Sequence, residues 1–162
     1  MSGRTKPLRA ALLGILLGIG LIPNVSTAAT SALTFVRDID FGTFTVLGSC
    51  MNCTITIAAD PTGTRSASAG VILNPTNPGT SGQYDVLMTG GAPFTYTATV
   101  TPATVNMVTA GGTMTVQTFT TSQTTVVKKA NTLYVGATLR IPSVGVTAGT
   151  FTSGTYTVTT SP

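Results

Sequence analysis

The residues of this chain with the clearest capacity for covalent chemistry are two cysteines in the segment GSCMNCTITI, Cys50 and Cys53. A pair with this spacing can form a redox centre, half of a metal site or a covalent clip. A redox Cys-x-x-Cys pair draws its reactive thiolate from a helix N-terminus or a nearby cation, whereas Cys53 is followed by the β-branched run TITI. Zinc needs four ligands, and the chain has no histidine and no third cysteine, so a metal site would require two chains.

In an oxidising compartment, two cysteines that lie close in sequence usually form a disulfide. We therefore predict a disulfide between Cys50 and Cys53. The alternatives are a redox-active pair, a free thiol or an intermolecular bridge. A loop this short stabilises the fold little through chain entropy, because that contribution grows with loop length. The predicted disulfide would instead fix a turn ahead of a strand.

The remaining polar residues exclude most catalytic designs. The acidic residues are Asp38, Asp40, Asp60 and Asp85, and without histidine no Ser-His-Asp or Cys-His pair can form. Asp38 and Asp40 lie two positions apart and would share one face of a strand. We predict a solvated edge there, with a calcium site as the alternative, since calcium needs six to eight oxygen ligands. The sequence thus predicts no enzyme activity, no metal and no cofactor.

The uncharged composition favours β-structure. Charged residues make up 7% of the chain, against about 25% in ordinary globular domains, and the frequent threonines suit half-buried strands better than helix interiors. Apolar residues at alternate positions predict strands. The clearest case is the series Leu133, Val135, Ala137, Leu139 and Ile141.

Other segments also have the composition or alternation of strands. They are QYDVLM, PFTYTATV, CTITIAA, SASAGVILN, TMTVQTF, TTVVKKA and TYTVTT, and turn-forming clusters such as ADPTGTR and NPTNPGTSG separate them. No segment after residue 30 has a helical period. The pattern predicts an all-β, antiparallel sandwich or barrel of about eight to ten strands, organised as one domain over residues 30–162.

The first 29 residues have the composition of a cleaved signal peptide. MSGRTKPLR is basic, AALLGILLGIGLI is apolar, and small residues precede a cleavage site after Ala28 or Ala29. The alternative, a transmembrane anchor, needs about 20 apolar residues, and Pro23 interrupts the stretch. After cleavage five basic and four acidic residues remain, too little excess charge for nucleic acid. We expect export to the periplasm, cell surface or medium, with no transmembrane span afterwards.

Five blocks of the sequence occur in the order found in a known family. They are DIDFGTFTV (38–46), DPTGTRSASAGVIL (60–73), GGTMTVQTF (111–119), NTLYVGATLRIP (131–142) and AGTFTSGTYTVTT (148–160). The chain resembles an uncharacterised bacterial secreted family, the DUF family numbered 4402. Its FGT near the start and its final block are also similar to spore-coat-U-like and archaic chaperone-usher pilin domains. The resemblance implies an Ig-like sandwich exported from a Gram-negative cell.

The pilin resemblance also implies a mode of assembly. SGTYTVTT would be the last strand, with Tyr156 and Val158, and the N-terminal segment of a neighbour would complete the sheet. The alternation of Leu33, Phe35 and Ile39 fits such a donor segment. The implied partners are copies of the protein or related subunits and a periplasmic chaperone. The alternative is that all strands pair within one self-contained sandwich, because the roughly dozen residues between the predicted cleavage site and FGT hardly suffice for both a first strand and a free donor arm.

We therefore expect a non-catalytic, surface-structural or fimbrial-subunit-like protein. The alternative is an extracellular binding module or adhesin that engages glycans or a protein through a face bearing Thr and Tyr. Tyr84, Tyr96, Tyr134 and Tyr156 are evenly spread and the chain has no tryptophan, so the sequence gives little support to a sugar-stacking platform.

Overall fold

The computed structural model describes residues 29–90, 96–109, 111–123, 130–143, 146–147, 149, 152–153 and 155–161. Apart from Ala29, the predicted signal peptide lies outside this set. The twelve strands are β1 (Thr30–Arg37), β2 (Phe44–Val46), β3 (Cys53–Ile57), β4 (Arg65–Ala67), β5 (Val71–Leu73), β6 (Gly82–Thr89), β7 (Thr97–Thr101), β8 (Thr104–Thr109), β9 (Gly112–Thr121), β10 (Ala130–Ile141), β11 (Thr152–Ser153) and β12 (Thr157–Ser161). No bilayer-spanning helix occurs within the described residues.

The predicted fold class is confirmed, because the strands pair antiparallel throughout. Four strands, β2, β4, β5 and β11, have only two or three residues. The other eight have at least five residues, in agreement with the predicted eight to ten. SASAGVILN forms parts of two strands, β4 and β5, rather than one, and the predicted strand TTVVKKA lies outside the described residues except for its final alanine.

The strands form one large sheet and two small ones. The large sheet runs β1-β6-β10-β9-β8-β11, and β3 and β4 continue it beside the second half of β10. The pairs β12-β7 and β2-β5 are separate two-stranded sheets. Apolar residues of both small sheets pack against the large sheet, which gives a two-layered β-sandwich.

The longest strand, β10, connects the two halves of the large sheet. Its residues 130–135 pair with β6 and its residues 137–141 pair with β3, while β9 pairs along its other edge. The alternation predicted for this strand is confirmed, because the five residues from Leu133 to Ile141 on that face are all buried. Strand β10 is therefore the centre of the fold.

Two clusters of buried side chains lie on either side of this junction. We call one the disulfide-side core; it consists of Phe41, Cys50, Cys53, Ile55, Ile57, Val105, Met114, Val116, Ala137, Leu139 and Ile141. The other, the β1-side core, consists of Tyr84, Val86, Met88, Tyr96, Leu133, Val135 and Val158. Ile39, Phe119 and Tyr156 are partly buried against both clusters, so they join the two cores.

The burial of β10 makes a stability prediction. Leu139 is fully buried in the disulfide-side core, so Leu139→Ala should lower the free energy of unfolding by about 2–5 kcal/mol through lost burial and a residual cavity. The exposed Thr120 of β9 is a matched control, and Thr120→Ala should change stability by about 0.5 kcal/mol or less. Urea unfolding measures both, and equal losses would contradict this account of the core.

Candidate functional site

The structure contains the predicted disulfide between Cys50 and Cys53. Cys53 is the first residue of β3, and both cysteines are buried in the disulfide-side core. The Cys50 N–H donates to the Leu47 carbonyl at 3.0 Å, so the bridge closes a turn between β2 and β3. Asn52, at the tip, has a φ of 55° and accepts a hydrogen bond from Arg140. The bridge therefore fixes a local turn next to a strand.

Of the two acidic residues near the start of the domain, Asp40 makes backbone contacts and Asp38 lies in solvent. Asp40 pairs with Thr80 through two backbone hydrogen bonds, and its Oδ1 accepts from the Gly42 N–H at 2.8 Å. Asp38 and Asp85 are exposed. In the described part of the chain, no three acidic or cysteine side chains are grouped so as to hold a metal ion.

The tyrosines do not form an exposed aromatic surface. Tyr84 and Tyr96 are buried in the β1-side core, and Tyr156 and Tyr134 are partly buried. Burial raises the pKa of Tyr156 far above its ordinary value. The Tyr156 ring lies 5.3 Å from that of Phe119, measured between centroids. These side chains thus contribute mainly to packing.

The five residues predicted to take part in assembly lie close together in the fold. Leu33 and Phe35 are on β1, Ile39 follows β1, Val158 is on β12, and Tyr156 directly precedes β12. Leu33, Ile39 and Tyr156 all pack against the β1-side core, to which Val158 belongs. The N-terminal and C-terminal strands are therefore neighbours within one chain.

Strand β1 lies between β6 and β12. Its backbone pairs with β6 along one edge. Towards β12, the Ser31 Oγ donates to the Thr160 carbonyl at 3.3 Å and lies 2.8 Å from the Thr160 Oγ1. Arg37 ends the strand and donates to the carbonyls of Ser81 and Pro61. The strand is held by one backbone ladder and a few side-chain contacts.

The alternation expected for β1 is only partly reflected in its burial. Leu33 is partly buried, but Phe35 is 57% exposed although it lies on the same face. Its ring meets Tyr84 edge-on, with centroids 5.8 Å apart, and the register with β6 shifts between Phe35 and Arg37. The irregularity places Phe35 at the rim of the core, where one side of its ring stays in solvent.

A groove of about 760 Å³ lies beside β2 on the other half of the sandwich. Its volume is within the roughly 300–1,000 Å³ of typical ligand sites. Its apolar lining residues are Phe41, Phe44, Val46, Leu47, Cys50, Met107, Met114, Leu139, Ile141, Pro142 and Val146. Asp40 is the one charged residue among the described residues that line it. We call this feature the β2 groove; the sequence did not predict it.

One edge of β2 borders this groove without a paired strand. The Leu47 N–H donates to Gly70, and the Asn74 N–H donates to Thr43. Backbone groups of an antiparallel strand alternate in direction, so the N–H and C=O groups of Phe44 and Val46 point away from β5. Among the described residues, β2 pairs with β5 alone. The groove therefore combines an apolar floor with an open strand edge.

Arg65 supports the segment that carries this edge. Its NH1 donates to the carbonyls of Phe41 and Thr43, at 2.8 and 3.1 Å, and its NH2 donates to the carbonyl of Asn74 at 2.6 Å. A charged donor strengthens hydrogen bonds to neutral acceptors. One side chain thus ties the segment that precedes β2 to the residue that follows β5, at one end of this strand pair.

Substitution of Arg65 tests this role. Each hydrogen bond from a charged group contributes about 1.5–3 kcal/mol, so Arg65→Met should lower the free energy of unfolding by about 2 kcal/mol or more. The Arg140 side chain is exposed and, among the described residues, donates one hydrogen bond, to Asn52, so Arg140→Met should cost less than about 1 kcal/mol. Chemical denaturation of both variants measures the two losses of stability. A similar small loss of stability in each variant would show that Arg65 does not hold this segment in place.

Asp60 organises the turn before β4. Its Oδ1 accepts hydrogen bonds from the Thr62 N–H at 2.9 Å, the Thr62 Oγ1–H at 2.7 Å and the Thr64 N–H at 3.2 Å. The bond from the Thr62 side chain is the main reason why the pKa of Asp60 is lowered from 3.8 to about 2. The carboxylate is thus stabilised in its charged form by the turn that it holds.

This lowered pKa makes a prediction about pH. A carboxyl group with a depressed folded-state pKa contributes stability above its unfolded pKa, and that contribution is lost as the pH falls towards the folded value. The stability difference between the wild-type protein and Asp60→Asn should therefore be constant above about pH 5 and shrink as the pH falls from there through about 2.

Thr62→Val gives an independent check, because it removes the Oγ1 donor. The pKa of Asp60, followed by its carboxyl carbon resonance, should then rise from about 2 towards 3.8. An unchanged pKa would show that the Thr62 hydroxyl does not control the ionisation of Asp60.

Comparison with known proteins identifies a family for this chain. No curated protein and no solved structure matches the chain. The family described as "Domain of unknown function (DUF4402)" matches residues 32–161, a range that runs from within β1 to the last residue of β12. This range includes both the β1 contacts and the β2 groove, and it confirms the family resemblance found in the sequence. The chain therefore belongs to the DUF4402 family.

Proposed function

We propose that this protein is an exported, non-catalytic structural subunit that assembles with copies of itself by exchange of β1. The main observation in support is that β1 lies between β6 and β12 but, in the described sheets, forms a backbone ladder with β6 alone. An N-terminal strand held in this way can come from another copy and make the same contacts. Such exchange of an identical element is a known route to assembly.

The contacts of β1 support this proposal. Leu33 covers part of the β1-side core, so the position needs a strand, whichever copy supplies it. Phe35 and Val36 are large, apolar and exposed on the same strand, and unpaired strand edges favour pairing between chains. The proposal includes a relationship to spore-coat-U-like and pilin domains. The proposed partners are therefore copies of the protein, related subunits and a periplasmic chaperone.

The disulfide supports export, because such bonds persist in oxidising compartments. The proposed locations are the periplasm, the cell surface and the surrounding medium. The alternative function, a binding module with a tyrosine-bearing face, has less support because Tyr84 and Tyr96 are buried.

Cysteine pairing between two variants tests the exchange directly. The side-chain oxygens of Ser31 and Thr160 lie 2.8 Å apart, a separation that suits a disulfide between cysteines at these positions. The chain beginning at Ala29 is prepared as Ser31→Cys and, separately, as Thr160→Cys, and the two are mixed under oxidising conditions. Exchange should yield a disulfide-linked dimer of the two variants, because β1 of one chain then lies beside β12 of the other.

A matched mixture of Ser31→Cys with Thr120→Cys serves as the control, because Thr120 is exposed on β9 and should give little linked dimer. A chain carrying both Ser31→Cys and Thr160→Cys that links only within itself, and light scattering that shows a monomer at every concentration, would overturn the proposal.

A chain that begins at Asp40 tests whether β1 can be supplied in trans. A synthetic peptide of residues 29–39, ATSALTFVRDI, should bind this chain and raise its melting temperature, because Leu33 again covers the core. The same peptide with Leu33→Asp should not. If the truncated chain binds neither peptide, strand exchange is contradicted.

A further inference from the structure

The β2 groove is a second surface, separate from the β1 contacts. It is lined by residues of β2, β8, β9 and β10, together with residues 142–149 where these are described. We propose that this groove binds one extended segment of a partner polypeptide, which adds a strand to the open edge of β2. This inference goes beyond the proposed function, because it does not depend on self-assembly or on β1.

The free backbone groups at the groove favour an extended polypeptide as the ligand. The edge offers the N–H and C=O groups of Phe44 and Val46, which lie two positions apart as a β-ladder requires. An added strand satisfies all four groups, whereas an acyl chain would leave them unbonded. Backbone pairing therefore distinguishes a polypeptide from a purely apolar ligand.

The floor of the groove defines the side chains of the partner. Leu47 and Met107 line it with apolar side chains that are at least partly exposed, whereas Met114, Leu139 and Ile141 are almost completely buried at its base. Side chains on one face of a strand recur at every second position. The partner segment should therefore carry apolar residues at alternate positions. Methionine side chains adapt to different apolar shapes, so the floor can accept more than one apolar sequence.

Charge defines one end of the partner. Asp40 is exposed and is the one charged residue among the described residues of the lining. Its Oδ1 accepts from the Gly42 N–H, which leaves the Oδ2 for a bound group. The Arg65 guanidinium, which holds the segment before β2, is engaged by three backbone carbonyls. A partner with a lysine or arginine beside Asp40 therefore has a complementary charge.

Two synthetic peptides serve as probes, acetyl-KVTVTVT-amide and acetyl-TVTVTVK-amide, which carry the lysine at opposite ends. Titration into the labelled chain should shift the amide resonances of Phe44 and Val46, and the peptide that binds more tightly reports the direction of the added strand. Failure of both peptides to perturb these amides would overturn the proposal.

Val46→Pro removes the outward N–H while leaving Thr45 to pair with β5. It should weaken peptide binding at least about fivefold, whereas Val46→Thr, which keeps the N–H, should bind like the wild type. Equal binding by Val46→Pro and the wild type, or tight binding of a fatty acid that Val46→Pro leaves unchanged, would refute strand addition.

Asp40→Asn tests the charge without depending on the folding of the proline variant, because the Asn Oδ1 can still accept from Gly42. It should weaken binding of the preferred lysine peptide about two- to fivefold, and should leave binding of the matching glutamine peptide unchanged. Equal losses for both peptides would contradict the assigned position of the basic residue.

Discussion

The close approach of two backbones at Gly136 is the constraint on which the rest of this structure depends. A Cβ at this position would collide with the Ile57 carbonyl oxygen and lie 2.6 Å from the Ala59 nitrogen. Val135 still pairs with Gly82 of β6, and Ala137 already pairs with Ile57 of β3. Only a residue without a side chain lets β10 change partner within one step and remain a continuous strand.

That change of partner divides the sandwich into two halves with different exposed surfaces. One half contains the β1-side core, which a strand from the N-terminus helps to cover. The other contains the disulfide-side core, beside which an edge of β2 is open. Ile39, Phe119 and Tyr156 pack against both cores, so the halves are mechanically joined. A strand that binds to one half therefore packs on the same continuous sandwich as a strand that binds to the other half, although the two binding surfaces are distinct.

The sequence predicted those features that depend on local patterns. The alternation in β10 and the β-branched run of β3 directly revealed buried strands, because one face of each packs against a core. Strand β8 was missed, although Val105 and Met107 alternate around the exposed Asn106. The β2 groove was not predictable, since it depends on how a three-residue strand is placed relative to β8, β9 and β10. The carbonyl contacts of Arg65 likewise join residues that only the tertiary fold brings together.

The low charge of the chain connects its stability to its exposed edges. Hydrogen bonds described for Arg37, Arg65 and Arg140 go to backbone carbonyls or to an asparagine side chain, so these cations support turns and strand ends instead of pairing with carboxylates. Many proteins protect an open strand edge with a lysine or another charged residue. Strand β2 carries no charge, and β1 carries only Arg37, which is bound to Ser81 and Pro61. These edges therefore lack the charged side chains that commonly hinder pairing with another strand, and the proposed strand exchange and strand addition both depend on that lack.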